Sequence, residues 1–320
     1  SIVSISLTQT CFCESDSVNG SVKLQLQKDE ISNSIKLSLI GEEEVCLYSS
    51  HWEKTISQRK QFLSHTQIID LSPYTQKNKN GESILPLGQY TIPFSLKLPK
   101  LLKATSSYKS MASIHYSVCA RLVLPNDGIS SILLRRIKGK GSEYYSRKFF
   151  KVESKPSEEQ LIKHSIPVVF ENFKSFVFSS GKGKLIVSGT LPHATPSKGD
   201  LFPVSFHVEN QSMKNVTGAS LHLRMHCEGE ATEGLKTEAF NDVEEICSSS
   251  VVFTNSLLPG AQSDCKMAIQ IPENLENTVN GSLYQRTYSL ELVLSVKGIA
   301  TNLRTTLTNL LISHITSSSQ

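Results

Sequence analysis

The sequence predicts an all-β protein made of two tandem antiparallel β-sandwich domains. Three observations carry this expectation. The chain has 320 residues, enough for two domains of about 150 residues each. Short runs in which apolar and polar residues alternate recur along it, bounded by Gly, Pro and Asn turns. No long run has a helical period. The clearest strand pair lies in residues 87–124. After a turn at Leu87-Gly88-Gln89, the run to Pro99 sets Phe94, Leu96 and Leu98 against Ser95 and Lys97, with Pro93 near its start. Residues 113–124 then set Ile114, Tyr116, Val118, Ala120 and Leu122 against His115, Ser117, Cys119 and Arg121. Strands of this kind belong to antiparallel sheet with one solvated face.

The other elements follow in order. Val3, Ile5 and Leu7 give a first strand, residues 14–20 a turn, and Val22, Leu24 and Leu26 the next strand. Ile35, Leu37 and Leu39 form another, which ends at Gly41, so Glu42, Glu43 and Glu44 read as a solvated turn. Trp52, the one tryptophan, reads as a packing residue. Residues 73–81 form a polar surface loop, and 146–152 the last strand of the first half. Pro156, Glu158 and Glu159 mark a linker, giving domains at 1–155 and 167–320 joined by residues 156–166. The second half repeats the theme at 184–189, 201–212, 219–227, 251–253, 267–272, 288–296 and 303–312. Such spacing suits immunoglobulin-like sandwiches.

Composition narrows the function. With 38% hydrophobic and 19% charged residues the chain can build real cores. Its net charge of +4 is mild. No apolar run approaches the ~20 residues that span a bilayer, and the start lacks a basic-then-apolar leader. Seven cysteines, at 11, 13, 46, 119, 227, 247 and 265, suit reduced, half-buried thiols in a reducing compartment. Asn-x-Ser/Thr triplets at Asn19, Asn210, Asn215 and Asn280 keep an alternative open, a secreted or cell-surface immunoglobulin-like adhesion protein. There is no Gly-x-Ser-x-Gly elbow, His-Glu-x-x-His pair or phosphate loop, and residues 179–184 are glycine-rich without phosphate-loop spacing. Cys11 with Cys13, and His222 with His226, complete no metal set. No enzyme activity, cofactor or metal is expected.

One stretch stands out. Residues 135–151 hold seven cations against the single Glu143, more positive charge than the whole chain carries. The candidate phosphate-, lipid- or cargo-binding residues are Arg135, Arg136, Lys138, Lys140, Arg147 and Lys148, because Arg and Lys bind phosphate by charge-assisted hydrogen bonds. Lys97, Lys100, Lys103 and Lys109 extend the patch and Tyr144-Tyr145 offers stacking, but the run is too short to favour nucleic acid.

The motifs also carry a resemblance. Gly88-x-Tyr90-x-x-Pro93-Phe94-x-Leu96-x-Leu98-Pro99 followed by Ile114-x-Tyr116-x-Val118-x-Ala120-x-Leu122 resembles the amino-terminal domain of arrestin-fold proteins. Val18-x-Gly20-x-Val22 and Ile35-x-Leu37-x-Leu39-x-Gly41-x-Glu43 fit the same pattern. Lys198-Gly199-Asp200, Val204-x-Phe206-x-Val208-x-Asn210-x-Ser212, Ile269-x-Ile271-Pro272 and Tyr288-x-Leu290-x-Leu292-x-Leu294 resemble the carboxy-terminal domain. The likeness spans residues 2–315 and is closest to the α-arrestin and retromer arrestin-subunit branch. It implies a cytoplasmic, non-enzymatic adaptor at plasma membrane or endosomes. Such an adaptor binds cytoplasmic tails of membrane receptors or transporters for endocytosis, endosomal sorting or signalling control. Trafficking-coat or retromer-like subunits and an anionic membrane are further implied partners. Two features depart from the family pattern. The chain has no Pro-Pro-x-Tyr motif. Arg147-Lys148 aligns with the stretch that supplies the arginine of the family's interdomain polar core, yet residues 297–304 offer no acid to meet it. An adaptor gated otherwise than by a phosphate-triggered polar core is expected.

Overall fold

Period-two alternation becomes strand nearly everywhere it was expected. A computed structural model describes residues 2–79, 81–124, 144–154, 157–178, 181–298 and 302–313. The chain divides into two units, residues 1–154 and 155–320.

The first unit contains β1 (Val3–Leu7), β2 (Cys11–Cys13), β3 (Ser17–Leu26), β4 (Ser34–Ser49), β5 (Lys54–Asp70), β6 (Gln76–Lys77), β7 (Ser83–Ile84), β8 (Gly88–Lys97), β9 (Ser106–Tyr108), β10 (Ala112–Val123) and β11 (Tyr145–Glu153). One sheet has the order β1-β3-β8, and the facing sheet the order β2-β11-β10-β4-β5 with β9 on β10. Pairing is antiparallel except between β2 and β11, which run parallel. Val18, Val22, Leu24 and Leu96 of one sheet and Ile35, Leu37, Ile114, Tyr116 and Val118 of the other are all buried. Pro93 is tolerated because β8 is an edge strand.

The second unit opens on α1 (Glu158–Ser165), a short helix within the stretch read as a linker. Ser157 accepts from the Gln160 amide (3.1 Å) and the Gln160 side chain accepts from the Ser157 amide (3.0 Å). This capping box, with Glu158 and Glu159 in the first turn and Lys163 and His164 in the last, stabilises a helix too short to show a periodic apolar face. Then come β12 (Val168–Phe178), β13 (Gly181–Leu191), β14 (Leu201–Gln211), β15 (Val216–Glu233), β16 (Lys236–Leu257), β17 (Gln262–Gln270), β18 (Val279–Asn280), β19 (Tyr284–Val296) and β20 (Leu303–Leu310). They form sheets ordered β12-β13-β14-β17 and β16-β15-β19-β18, with β20 on β19. Val187, Phe202, Val204 and Val208 pack against Leu221, Leu223, Leu290 and Leu292. Both units are therefore antiparallel β-sandwiches.

Each sandwich brings an aromatic ring against a strand glycine. A Cβ on Gly20 would stand 2.3 Å from the Ser6 carbonyl oxygen and 2.8 Å from the Phe94 ring. On Gly189 it would stand 2.4 Å from the Ser205 oxygen and 2.5 Å from the Phe170 ring. Backbone and a buried ring cannot both give way. Gly20→Ala and Gly189→Ala should each cost about 1–3 kcal/mol, read by urea denaturation; a loss within 0.5 kcal/mol, the usual range of surface substitutions, would show that the sheets relax.

Candidate functional site

The candidate site lies on the outer face of the first unit's larger sheet. β4, β10 and β11 pair there in a register that sets Glu42 beside His115 and Cys119 beside Arg147. Alternation then puts Glu42, Glu44, His115, Ser117, Arg147 and Phe149 on one face. Arg147 Nη2 donates to Glu42 Oε2 (2.5 Å) and Arg147 Nε to Ser117 Oγ (2.9 Å). His115 Nε2 lies 3.2 Å from the same Oε2 atom, and its Nδ1 lies 3.4 Å from Ser113 Oγ. The guanidinium covers the exposed Phe149 ring at 4.7 Å, and His115 meets that ring edge-on at 5.5 Å. Arg59 on β5 pairs with Glu44 at 2.8 Å.

Burial pushes the Glu42 carboxyl up, but the hydrogen bond and charge of Arg147, with His115 and Arg59 behind them, outweigh it and hold Glu42 below the usual glutamate range. A depressed carboxylate contributes stability above its unfolded pKa and loses that contribution as pH falls through its folded one. Glu42→Gln should therefore lower stability at neutral pH, with the gap to wild type closing as pH falls below the ordinary glutamate range. A gap constant with pH would mean that the ion pair contributes nothing. Burial first, then the bond its hydroxyl donates to Cys119 Sγ (3.0 Å), pushes the Tyr145 phenol up to about 12.

Several expectations change here. Glu42, Glu43 and Glu44 are not a turn: they lie within β4, and Glu43 points into the core, fully buried. Lys103 Nζ reaches inward to pair with Glu43, so it does not extend a surface patch. Lys109 lies over the Tyr108 ring at 4.6 Å, Lys97 pairs across from Ser17, and Lys100 is exposed. Arg147 and Lys148 share no face, since Lys148 stands opposite Val118 on the other side of the sheet. Tyr144 donates to Glu30 Oε1 (2.7 Å). Arg135, Arg136, Lys138 and Lys140 lie outside the described residues; they belong to the segment that joins β10 to β11. Trp52 is not core: it is 42% exposed at the tip of the β4–β5 hairpin, edge-on to His51.

Other candidates gather no catalytic set. His222 is engaged by Ser220 (2.8 Å) and Glu245 (2.9 Å), and His226 by Ser289 (2.7 Å). Among the described residues no group of three His, Cys, Asp or Glu side chains is arranged to hold a metal. A shallow recess of about 800 Å³ on the β12-β13-β14-β17 sheet is lined by Val169, Thr190, His207, Asp264 and Lys266, with His207 spent on Asp264 at 2.8 Å. None of the seven cysteines is bonded to another. Asn210 is fully buried and hydrogen-bonded, so it cannot carry a glycan in the folded protein.

Comparison with protein families now decides the relationship. The model of the arrestin (or S-antigen) N-terminal domain matches residues 3–149, and that of the arrestin C-terminal domain matches residues 181–315. The chain belongs to the arrestin family. Among curated proteins no relative matches it. Arrestin-family proteins are generally non-enzymatic adaptors that bind membrane-protein cargo and trafficking machinery. No helix among the described residues is long and apolar enough to cross a membrane. In this arrestin-family chain Arg147 is held by Glu42 of its own unit.

Proposed function

We propose that this arrestin-family protein is a cytoplasmic, non-enzymatic adaptor. It binds acidic or phosphorylated cytoplasmic tails of membrane receptors or transporters for endocytosis, endosomal sorting or signalling control. The observation that supports this reading is the succession of both arrestin domains in one chain. Residues of the β10–β11 connection, Arg135, Arg136, Lys138 and Lys140, contact the anion first, and Arg147 receives it on the sheet. Nε and one Nη2 proton of Arg147 are spent on Ser117 and Glu42. The Nη1 protons and the second Nη2 proton have no partner among the described residues, and their fork matches a phosphate or carboxylate. Lys148, on the opposite face, serves a separate contact.

Binding of phosphopeptides and of phosphoinositide liposomes at two salt concentrations tests this reading and separates the two sources of phosphate. Salt-sensitive binding is expected. Joint charge reversal of Arg135, Arg136, Lys138 and Lys140 should weaken it more than about tenfold, since a hydrogen bond to a charged group contributes about 1.5–3 kcal/mol. The circular dichroism spectrum should not change. Binding unaffected by the reversal would remove the segment from the account.

A further inference from the structure

The Arg147 site contains a titratable partner that a simple anion site does not need. Two donors converge on one oxygen, Glu42 Oε2: Arg147 Nη2 at 2.5 Å and His115 Nε2 at 3.2 Å. The side chains are largely withdrawn from water, at 24% exposure for Arg147, 20% for His115 and 11% for Glu42. The charged groups on the neighbouring strands are Glu42 and Glu44 on β4, Arg59 on β5 and Arg147 on β11, with the Tyr145 phenol beside Arg147. Ser113 and Ser117 flank it on β10. With the imidazole neutral, Glu42 offsets Arg147, and Glu44 offsets Arg59.

We propose that protonation of His115 gates the site, by competing with Arg147 for the Glu42 carboxylate and freeing the guanidinium for an external anion. When His115 takes up a proton, Nε2–H becomes a cationic donor to Oε2 and Nδ1–H donates to Ser113. One carboxylate then serves two cations. The local charge rises by one, Arg147 is repelled by its neighbour, and an arriving phosphate or carboxylate replaces Glu42 as its partner. Histidine is the side chain whose ordinary titration lies in the range that cells vary. This inference rests on the proposed anion site at Arg147.

The test uses a sulfotyrosine peptide, whose charge is constant over the pH range, measured by fluorescence anisotropy with the full chain at pH 5.5 and 7.5. Wild type should bind about five- to tenfold more tightly at the lower pH, in the range of site-to-site couplings. In His115→Gln that ratio should fall to near one. In Glu42→Gln binding should be tight at both values, because the competing carboxylate is gone. Folding of each variant is checked by circular dichroism. The Arg147 Nε–H resonance gives a readout without ligand: it should move with pH in wild type and stay fixed in His115→Gln. A ratio near one in wild type, or the same ratio in His115→Gln, overturns the gate while leaving the anion site in place. No binding by wild type at either pH overturns the anion site itself.

Discussion

Lys103→Ala is expected to cost the first unit about 3–5 kcal/mol, the usual penalty for removing one partner of a buried ion pair. Glu43 is fully buried in β4, and the Lys103 ammonium reaches it from the loop after β8. The same residue is held twice more. Its carbonyl accepts from the Tyr116 hydroxyl at 2.6 Å, and its ammonium lies 4.8 Å from the Phe62 ring centre. Removing the side chain leaves a carboxylate in the core without that charge, and a loop held there by the carbonyl bond to Tyr116 but without its side-chain anchor. Lys103→Met with Glu43→Gln separates the two terms. If the uncompensated charge dominates, the double variant recovers most of the loss; if the anchor dominates, it does not. Hydrogen exchange of the β10 amides reads the first unit directly, which matters because a two-unit chain need not unfold in one step. A loss below about 1 kcal/mol, the scale of an exposed pair, would mean that water reaches Glu43.

Asn210→Asp should destabilise the second unit, although it replaces one atom. The Asn210 amide nitrogen donates to the Lys214 and Leu257 carbonyls, both at 2.9 Å. Its oxygen accepts from the Ser212 amide (3.1 Å) and hydroxyl (2.6 Å). Its capacity of two donors and two acceptors is filled. The knot ties the end of β14 to the turn before β15 and to the end of β16. A carboxylate accepts but does not donate, so the buried Leu257 carbonyl loses this bond at about 1–3 kcal/mol, while the Lys214 carbonyl keeps the Ser212 hydroxyl at 3.1 Å. Urea denaturation should show about 1–3 kcal/mol lost at neutral pH from that carbonyl alone, and less in acid, where the carboxyl recovers one donor. A loss under 1 kcal/mol, or one that grows in acid, would remove the knot from the account.

The strand pattern was legible because burial on one face writes itself into every second residue. Val3 to Leu7, Ile35 to Leu39, Ile114 to Leu122 and Tyr288 to Leu294 all lie in strands. What stayed hidden depends on neighbours distant in sequence. Trp52 looked like core because large aromatics usually are, yet the hairpin carries it clear of the facing sheet. Helix α1 is only eight residues long and has no buried face; its signal was Ser157 with Gln160, two polar residues inside an acidic stretch. The candidate site shows the same division. The basic run was visible as composition, but adjacency in sequence suggested that Arg147 and Lys148 act together, and a strand separates such neighbours by placing them on opposite faces. Glu42 and His115 stand 73 residues apart. Their meeting follows from β4–β10 pairing, which alternation alone does not specify.

The three glutamates of β4 have a consequence for how the strand is threaded. Glu42 and Glu44 face outward to arginines while Glu43 between them meets a lysine inside. Sliding β4 by one position against β10 would turn two carboxylates into apolar surroundings, where the single inner lysine could meet only one of them, and would leave one outer arginine without its glutamate. Hydrophobic alternation penalises such a slip a little at every residue. The glutamate triplet concentrates the penalty at one place, just beyond the irregularity between Gly41 and Glu42 where β4 and β5 fall out of step. The charged centre of the strand thus works as an alignment key that rejects misthreaded sheets.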